Sequence, residues 1–151
     1  MNPRNRLTMV AAVCLGLATS SAWAGDPTID ACSLLTKSEV EQVLGKLKGA
    51  PKSDHIEVIR TCDYELTAAS QALSVWVFPQ RAMERARKEY KNVTPVKSLG
   101  QEAFIHADLE NDMTEIFVLQ GNATLKLSLP ESKDSETKVQ ALARKAVARL
   151  K

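Results

Sequence analysis

Residues 114–129, with the sequence TEIFVLQGNATLKLSL, contain two apolar runs on either side of a Gly121-Asn122 dipeptide. Gly-Asn between two strand-like segments is typical of the two-residue turn of a β-hairpin. The segments 114–120 and 123–129 are therefore predicted to be adjacent antiparallel strands. The first of them is apolar at four consecutive positions from Ile116, which is typical of a strand that is covered on both faces. We therefore predict that this hairpin lies in the centre of a sheet.

The rest of the chain adds helices and further strands to this hairpin. Thr36 and Glu39 form a T-x-x-E capping box, which indicates the start of a helix. The predicted elements are, in order, a helix over 34–47, strands over 56–66 and 72–78, a helix over 79–91, strands over 102–106, 114–120 and 123–129, and a helix that ends near Leu150. The sequence therefore predicts an α+β domain, with an antiparallel sheet of about five strands and three helices in the order α-β-β-α-β-β-β-α.

The first 24 residues have the composition of a secretory signal peptide. Arg4 and Arg6 form a basic start, an apolar run follows, and Ala22-Trp23-Ala24 matches an A-x-A cleavage site. We expect cleavage after Ala24, which leaves residues 25–151 as a single domain. The apolar run is shorter than the roughly 20 residues that a membrane-spanning helix needs. The processed chain is therefore expected to have no transmembrane segment and to be periplasmic or secreted.

Removal of this segment changes both the cysteine count and the charge. Cys14 is lost, and Cys32 and Cys62 remain. A structural disulfide is favoured over a metal or redox pair, because metal sites usually need more ligands and redox pairs usually have the spacing C-x-x-C. The chain has 20 basic and 18 acidic residues, and loss of the two leading arginines leaves 18 of each. A neutral domain is a poor candidate for binding nucleic acid.

The opening of the processed chain resembles that of a known group of proteins. Cys32-Ser33-Leu34-Leu35-Thr36, followed by Glu39-Val40 and Leu44-Gly45, is similar to the C-x-L-L-T…E-V…L-G opening of small exported bacterial domains of unknown function, which are often lipoproteins. Cys62 and Tyr64 resemble the C-x-Y of their second cysteine. The resemblance implies an α+β domain with a Cys32–Cys62 bridge, and it implies no catalytic residue. This chain lacks a lipobox, so the resemblance does not extend to a lipid anchor.

Two surfaces are candidates for binding. Trp76 and Phe78 share one face of their predicted strand and, with Arg60, form a candidate ligand face, unless helices cover both sides of the sheet. Helix cover is the favoured interpretation, because three helices are predicted. The second surface is a basic stripe on the predicted helix over 79–91, formed by Arg81, Arg85 and Lys88. This stripe is either a candidate partner face or a solvated exterior.

His106 ends a predicted strand and precedes an acidic loop. A metal-dependent or hydrolase-like enzyme would use His106, Asp108 and this loop. Asp108, Glu110 and Asp112 are the candidate cation ligands, but their spacing does not match an EF-hand. We therefore predict no catalytic set, no metal site and no cofactor.

The combined features favour an exported, non-enzymatic binding or interaction domain. Its partner would be a protein or a small ligand of the cell envelope, and an inhibitor or immunity-like role is one form of this hypothesis. The enzyme that uses His106 is the alternative. The sequence does not identify the ligand.

Overall fold

The computed structural model describes residues 29–67 and 72–150. The predicted signal peptide, its cleavage site after Ala24 and Cys14 lie outside the described residues. The helices are α1 (Lys37–Leu44), α2 (Arg81–Glu89) and α3 (Ser135–Val147), and a 3-10 turn covers Ala31–Ser33. The strands are β1 (Lys52–Ile56), β2 (Ile59–Glu65), β3 (Ala72–Pro79), β4 (Thr94–Pro95), β5 (Glu102–Asp108), β6 (Met113–Gln120) and β7 (Ala123–Pro130).

The strands form one antiparallel sheet with the order β1-β2-β3-β7-β6-β5-β4. The α+β class and the hairpin at Gly121-Asn122 are confirmed, and so is the capping box of Thr36 and Glu39. The prediction of about five strands in the order α-β-β-α-β-β-β-α is wrong. The sheet has seven strands, and the described chain runs α-β-β-β-α-β-β-β-β-α.

The first additional strand arises because residues 52–65 form a hairpin, whereas the sequence predicts a single strand over 56–66. Ile56 pairs with Ile59, so Glu57 and Val58 form a two-residue turn, and Glu57 has a positive φ of 53°. Such turns usually contain Gly, Asn or Asp, since these residues tolerate positive φ at lower cost. The sequence here contains none of them. The second additional strand, β4, has only two residues and therefore shows no periodicity.

One side of the sheet, which we call the core face, is closed by helices. α3 packs on β6 and β7, α1 packs against α3, and the 3-10 turn lies against β2 and β3. The strands contribute alternate residues that are fully buried, among them Val75, Ile116, Leu125 and Leu127. This alternation follows from the period of two in side-chain direction along a strand.

Covalent and polar contacts also hold the core face together. A disulfide joins Cys32 in the 3-10 turn to Cys62 in β2, with a Cα–Cα distance of 5.0 Å. This confirms the predicted pairing. Tyr64, which is fully buried, donates a hydrogen bond of 2.7 Å from its hydroxyl to the carbonyl of Leu35. Its burial raises its pKa to about 12.

The opposite side, which we call the open face, has one helix on it among the described residues. Met83 and Ala86 of α2 pack on Phe104 and Phe117, forming a small second core. The predicted helix cover on both sides is therefore present over β5 and β6, whereas Trp76 and Phe78 of β3 remain half-buried. Within residues 29–67 and 72–150, no helix is both long and apolar enough to cross a bilayer.

Candidate functional site

A groove lies on the open face between α2 and the turn that joins β1 to β2. Its volume is about 630 Å³. Phe78 and Phe117 lie at its floor, and Ile56 and Val58 lie at its edge. These two edge side chains are 55% and 48% exposed, which is unusual for large apolar residues that lie side by side.

The helical wall of the groove is basic. Arg81 and Arg85 line it, together with Ala82, Ala86 and Glu89. Arg85 forms an exposed ion pair of 3.5 Å with Glu89. Lys88, the third member of the predicted partner face, is exposed but does not line the groove. Two of the three predicted residues therefore belong to this site.

The predicted ligand face is only partly assembled. Trp76 and Phe78 lie on the open face, with ring centroids 5.9 Å apart and nearly parallel planes. Arg60 pairs with Val77 across the β2–β3 ladder and so belongs to the core-face side. Its guanidinium donates a 2.8 Å hydrogen bond to the carbonyl of Glu57. The grouping of Arg60 with the two aromatic residues is therefore corrected, because strand alternation separates them.

A row of polar residues crosses the open face beside the groove. Its members lie directly opposite one another on five neighbouring strands and are Asp63, Ser74, Ser128, Glu115 and His106. Ser74 donates a 2.6 Å hydrogen bond to Asp63. Ser128 donates a 3.3 Å hydrogen bond to Glu115. The sheet thus presents a polar strip where the aromatic floor ends.

The row is connected to the groove by an ion pair. Lys126 lines the groove, and its Nζ lies 2.6 Å from Oε1 of Glu115. The side chains are 19% and 7% exposed, respectively, so both charges are largely removed from water. Nζ also lies 5.5 Å from the centroid of the Phe117 ring. The pair places an ammonium group at the aromatic floor of the groove.

Tyr90, just after α2, covers the junction between the groove and the polar row. Its ring centroid lies 5.1 Å from that of Phe117 and 4.4 Å from that of His106. Burial raises the pKa of Tyr90, and the nearby Glu115 carboxylate adds to this effect. The phenol therefore stays protonated at neutral pH. Within the described residues, His106 Nδ1 is the one buried side-chain nitrogen or oxygen that has no hydrogen-bond partner.

The acidic loop is organised around its own backbone. Asp108 accepts hydrogen bonds from the backbone N–H groups of Glu110 and Asn111 and from the Asn111 side chain. The side-chain bond from Asn111 is the main cause of a lowered pKa for Asp108. Glu110 and Asp112 are exposed. Across residues 29–67 and 72–150, no cluster of three or more His, Cys, Asp or Glu residues is arranged to hold a metal ion.

A smaller hollow lies on the other side of the molecule, between the end of α1 and the start of α3. It has a volume of about 350 Å³ and is lined by Leu44, Leu66, Leu129 and Lys138, among others. Unlike the groove, this hollow is lined by none of the candidate ligand, partner or metal residues that the sequence analysis names. It provides an internal comparison for any binding experiment.

The sequence analysis missed the residues that connect the groove to the polar row. Glu115 is not among the predicted site residues, but it lies in β6 and is 5% exposed. A two-residue turn at 121–122 pairs Phe117 with Lys126 and Glu115 with Ser128. Glu115 and Lys126 are then diagonal neighbours, close enough to interact. The position of the turn therefore predicts that Glu115 and Lys126 lie close enough to form an ion pair.

Comparisons of the chain with protein-family models, curated proteins and solved structures find no match. The similarity of the Cys32–Thr36 segment to small exported domains stays a prediction. The interpretation of the site therefore depends on the geometry of the groove and its charges.

Proposed function

We propose that this chain is an exported domain that binds a small amphipathic ligand in the groove between α2 and the β1–β2 turn. The observation that carries the proposal is the composition of the groove. Its floor and edge are apolar, whereas Arg81, Arg85 and Lys126 supply basic groups around them. An apolar ligand with a polar or anionic end is complementary to this arrangement.

The size and exposure of the groove support a small ligand. Its volume of about 630 Å³ falls within the range of roughly 300–1,000 Å³ that is usual for small-molecule sites. A ligand that covers the exposed surface of Ile56 and Val58 is stabilised by about 25 cal/mol of binding free energy for each Å² of apolar area removed from water. The domain would then act by capture rather than by chemical conversion.

Export is the second part of the proposal. It is supported by the signal-peptide composition of residues 1–24 and by the disulfide between Cys32 and Cys62, because disulfides persist mainly in oxidising compartments. The periplasm and the extracellular space both meet this condition.

The proposal is tested by titrating Nile red, a neutral apolar dye, into the processed protein and following its fluorescence. The double variant Ile56→Ser/Val58→Ser should weaken dye binding by about tenfold, because two apolar contacts are lost. Leu109→Ser is the matched control, since Leu109 is 81% exposed and lies at the tip of the β5–β6 hairpin, outside the groove lining.

Two results would contradict the proposal. One is an absence of dye binding to the folded wild-type protein. The other is equal binding by the wild type and the double variant. A protein partner captured through Arg81 and Arg85, without any small-ligand binding, would favour the inhibitor or immunity-like role instead.

A further inference from the structure

We infer that the ligand carries a single carboxylate and that Lys126 binds it at the floor of the groove, with Glu115 and Ser128 positioning the lysine. This inference rests on the proposed function, because it names the chemical class of the ligand for the same groove. It depends on the location of Lys126, on the nature of its ion pair and on the polar atoms around it.

Lys126 occupies a position where the fold does not need a charge. Its neighbours in β7, Leu125 and Leu127, are fully buried on the core face, and Lys126 points to the open face. There it lies directly opposite Trp76 and Phe117 in the adjoining strands. An apolar residue at this site would continue the aromatic floor. The lysine therefore interrupts a surface that favours apolar side chains.

The ion pair with Glu115 does not account for the lysine through stability alone. Removing two charges from water costs about as much as their attraction returns, and apolar replacements of such pairs are often neutral or stabilising. Glu115 receives a second hydrogen bond from Ser128 at the same oxygen, Oε1, at 3.3 Å. The carboxylate is thereby fixed, and it holds the Lys126 ammonium in place.

The Lys126 ammonium has hydrogen-bonding capacity beyond its contact with Glu115 and lines the groove. A lysine ammonium has three N–H donors, and the Glu115 contact uses one side of it. A ligand oxygen that carries negative charge is the acceptor that forms the strongest bonds with the remaining donors. Arg81 and Arg85 on the helical wall have the same sign of charge and favour the approach of an anion.

The charges of the site favour one carboxylate rather than several. Three basic residues and two acidic residues, Glu57 and Glu89, line the groove, which leaves one net positive charge. Glu115 lies beneath this lining and balances it. Binding of an oxyanion therefore depends on hydrogen bonds donated by Lys126 and the arginines rather than on a large excess of charge.

The unpaired nitrogen of His106 lies in the same cluster. His106 is directly opposite Glu115, and its ring is covered by Tyr90, which also lines the groove. Buried polar atoms nearly always have hydrogen-bond partners, so an exception requires an explanation, and a functional role is one of them. This atom marks the polar end of the groove as a place where the fold accepts a local cost.

The test is displacement of bound Nile red by dodecanoate and by dodecanol at neutral pH. The two compounds have the same chain and differ in the head group. Wild-type protein should bind dodecanoate about tenfold more tightly than dodecanol, the value of one charge-assisted hydrogen bond. Lys126→Met should abolish this preference, with the dye affinity of the variant measured separately. Lys133→Met, at an exposed position before α3, is the control and should keep the preference.

The variant Lys126→Met leaves Glu115 without its cation, which can destabilise the fold. The double variant Glu115→Gln/Lys126→Met removes both charges and should also lose the preference, whereas Lys126→Arg should restore it in part. Equal affinity of the wild type for the two compounds would overturn the inference, as would a preference that survives in the folded double variant. In both cases dye binding would still support the proposed function, and loss of dye binding would overturn both proposals.

Discussion

The core face and the open face are built from alternate residues of the same strands, yet the core face has more helical cover than the open face. The core face has α1, α3, a disulfide and fully buried aliphatic residues. The open face has one short helix, a groove and a row of polar residues. Adjacent positions such as Leu125 and Lys126 therefore serve different purposes. We expect the stability of the fold to depend mainly on the core face, and under the proposed function the ligand binds to the open face.

The largest expected effect is loss of the disulfide on the core face. Replacing Cys32 and Cys62 with Ala should lower the free energy of unfolding by roughly 3–4 kcal/mol, given a sequence separation of 30 residues. Urea denaturation of the double variant measures this loss. Nile red affinity of the folded protein should remain unchanged, since the disulfide lies on the other side of the sheet. A large loss of affinity would show that the two faces are coupled.

The next effect compares one apolar residue from each face. Leu127→Ala should cost about 3 kcal/mol of unfolding free energy, because Leu127 is fully buried and its removal leaves a cavity. Phe78→Ala should cost less, since Phe78 is half-buried on the open face. Phe78→Ala should weaken Nile red binding more than Leu127→Ala does. Equal stability losses in urea denaturation would contradict the proposed division between the faces.

A smaller effect should appear in acid. Arg149 donates two hydrogen bonds of 2.8 Å to Glu39, and with the N–H of Thr36 it lowers the pKa of Glu39 from 4.5 to about 2. Because the folded pKa is the lower one, Glu39 stabilises the fold fully above pH 4.5 and loses this contribution as the pH falls to about 2.

Thermal unfolding across this pH range is the measurement. The variant Glu39→Gln should be less stable than the wild type at neutral pH and should lose less stability on acidification. Glu84→Gln, at an exposed position on α2, is the matched control and should follow the wild type. A Glu39→Gln protein with an unchanged acid transition would refute the role assigned to this ion pair.

The smallest effect on stability should come from the edge of the groove. Ile56→Ser and Val58→Ser should each change the free energy of unfolding by less than about 0.5 kcal/mol, because both side chains are about half exposed. The same changes should weaken Nile red binding. Urea denaturation measures the change. A loss of unfolding free energy above about 1 kcal/mol, twice the expected limit, would mean that the turn stabilises the fold rather than binds the ligand.

The sequence allowed the core face to be predicted better than the open face. Apolar alternation, the capping box at Thr36 and the Gly121-Asn122 turn are local signals, and all three agree with the structure. The turn at Glu57 gives no such signal, so residues 52–55 are not predicted to form a strand. The grouping of Arg60 with Trp76 and Phe78 is corrected by the register of β2 and β3, which only the folded sheet shows. The site also depends on contacts between distant segments. Tyr90 meets His106 only after α2 has folded onto β5 and β6.

Amide NMR spectra of isotopically labelled protein, recorded during a titration with dodecanoate, would locate the ligand on one face. We predict shifts concentrated at the groove, around Ile56, Phe78, Arg85 and Lys126. Shifts concentrated instead at the smaller hollow near Leu44 and Lys138, or no shifts at all, would contradict the assignment of the open face as the binding surface.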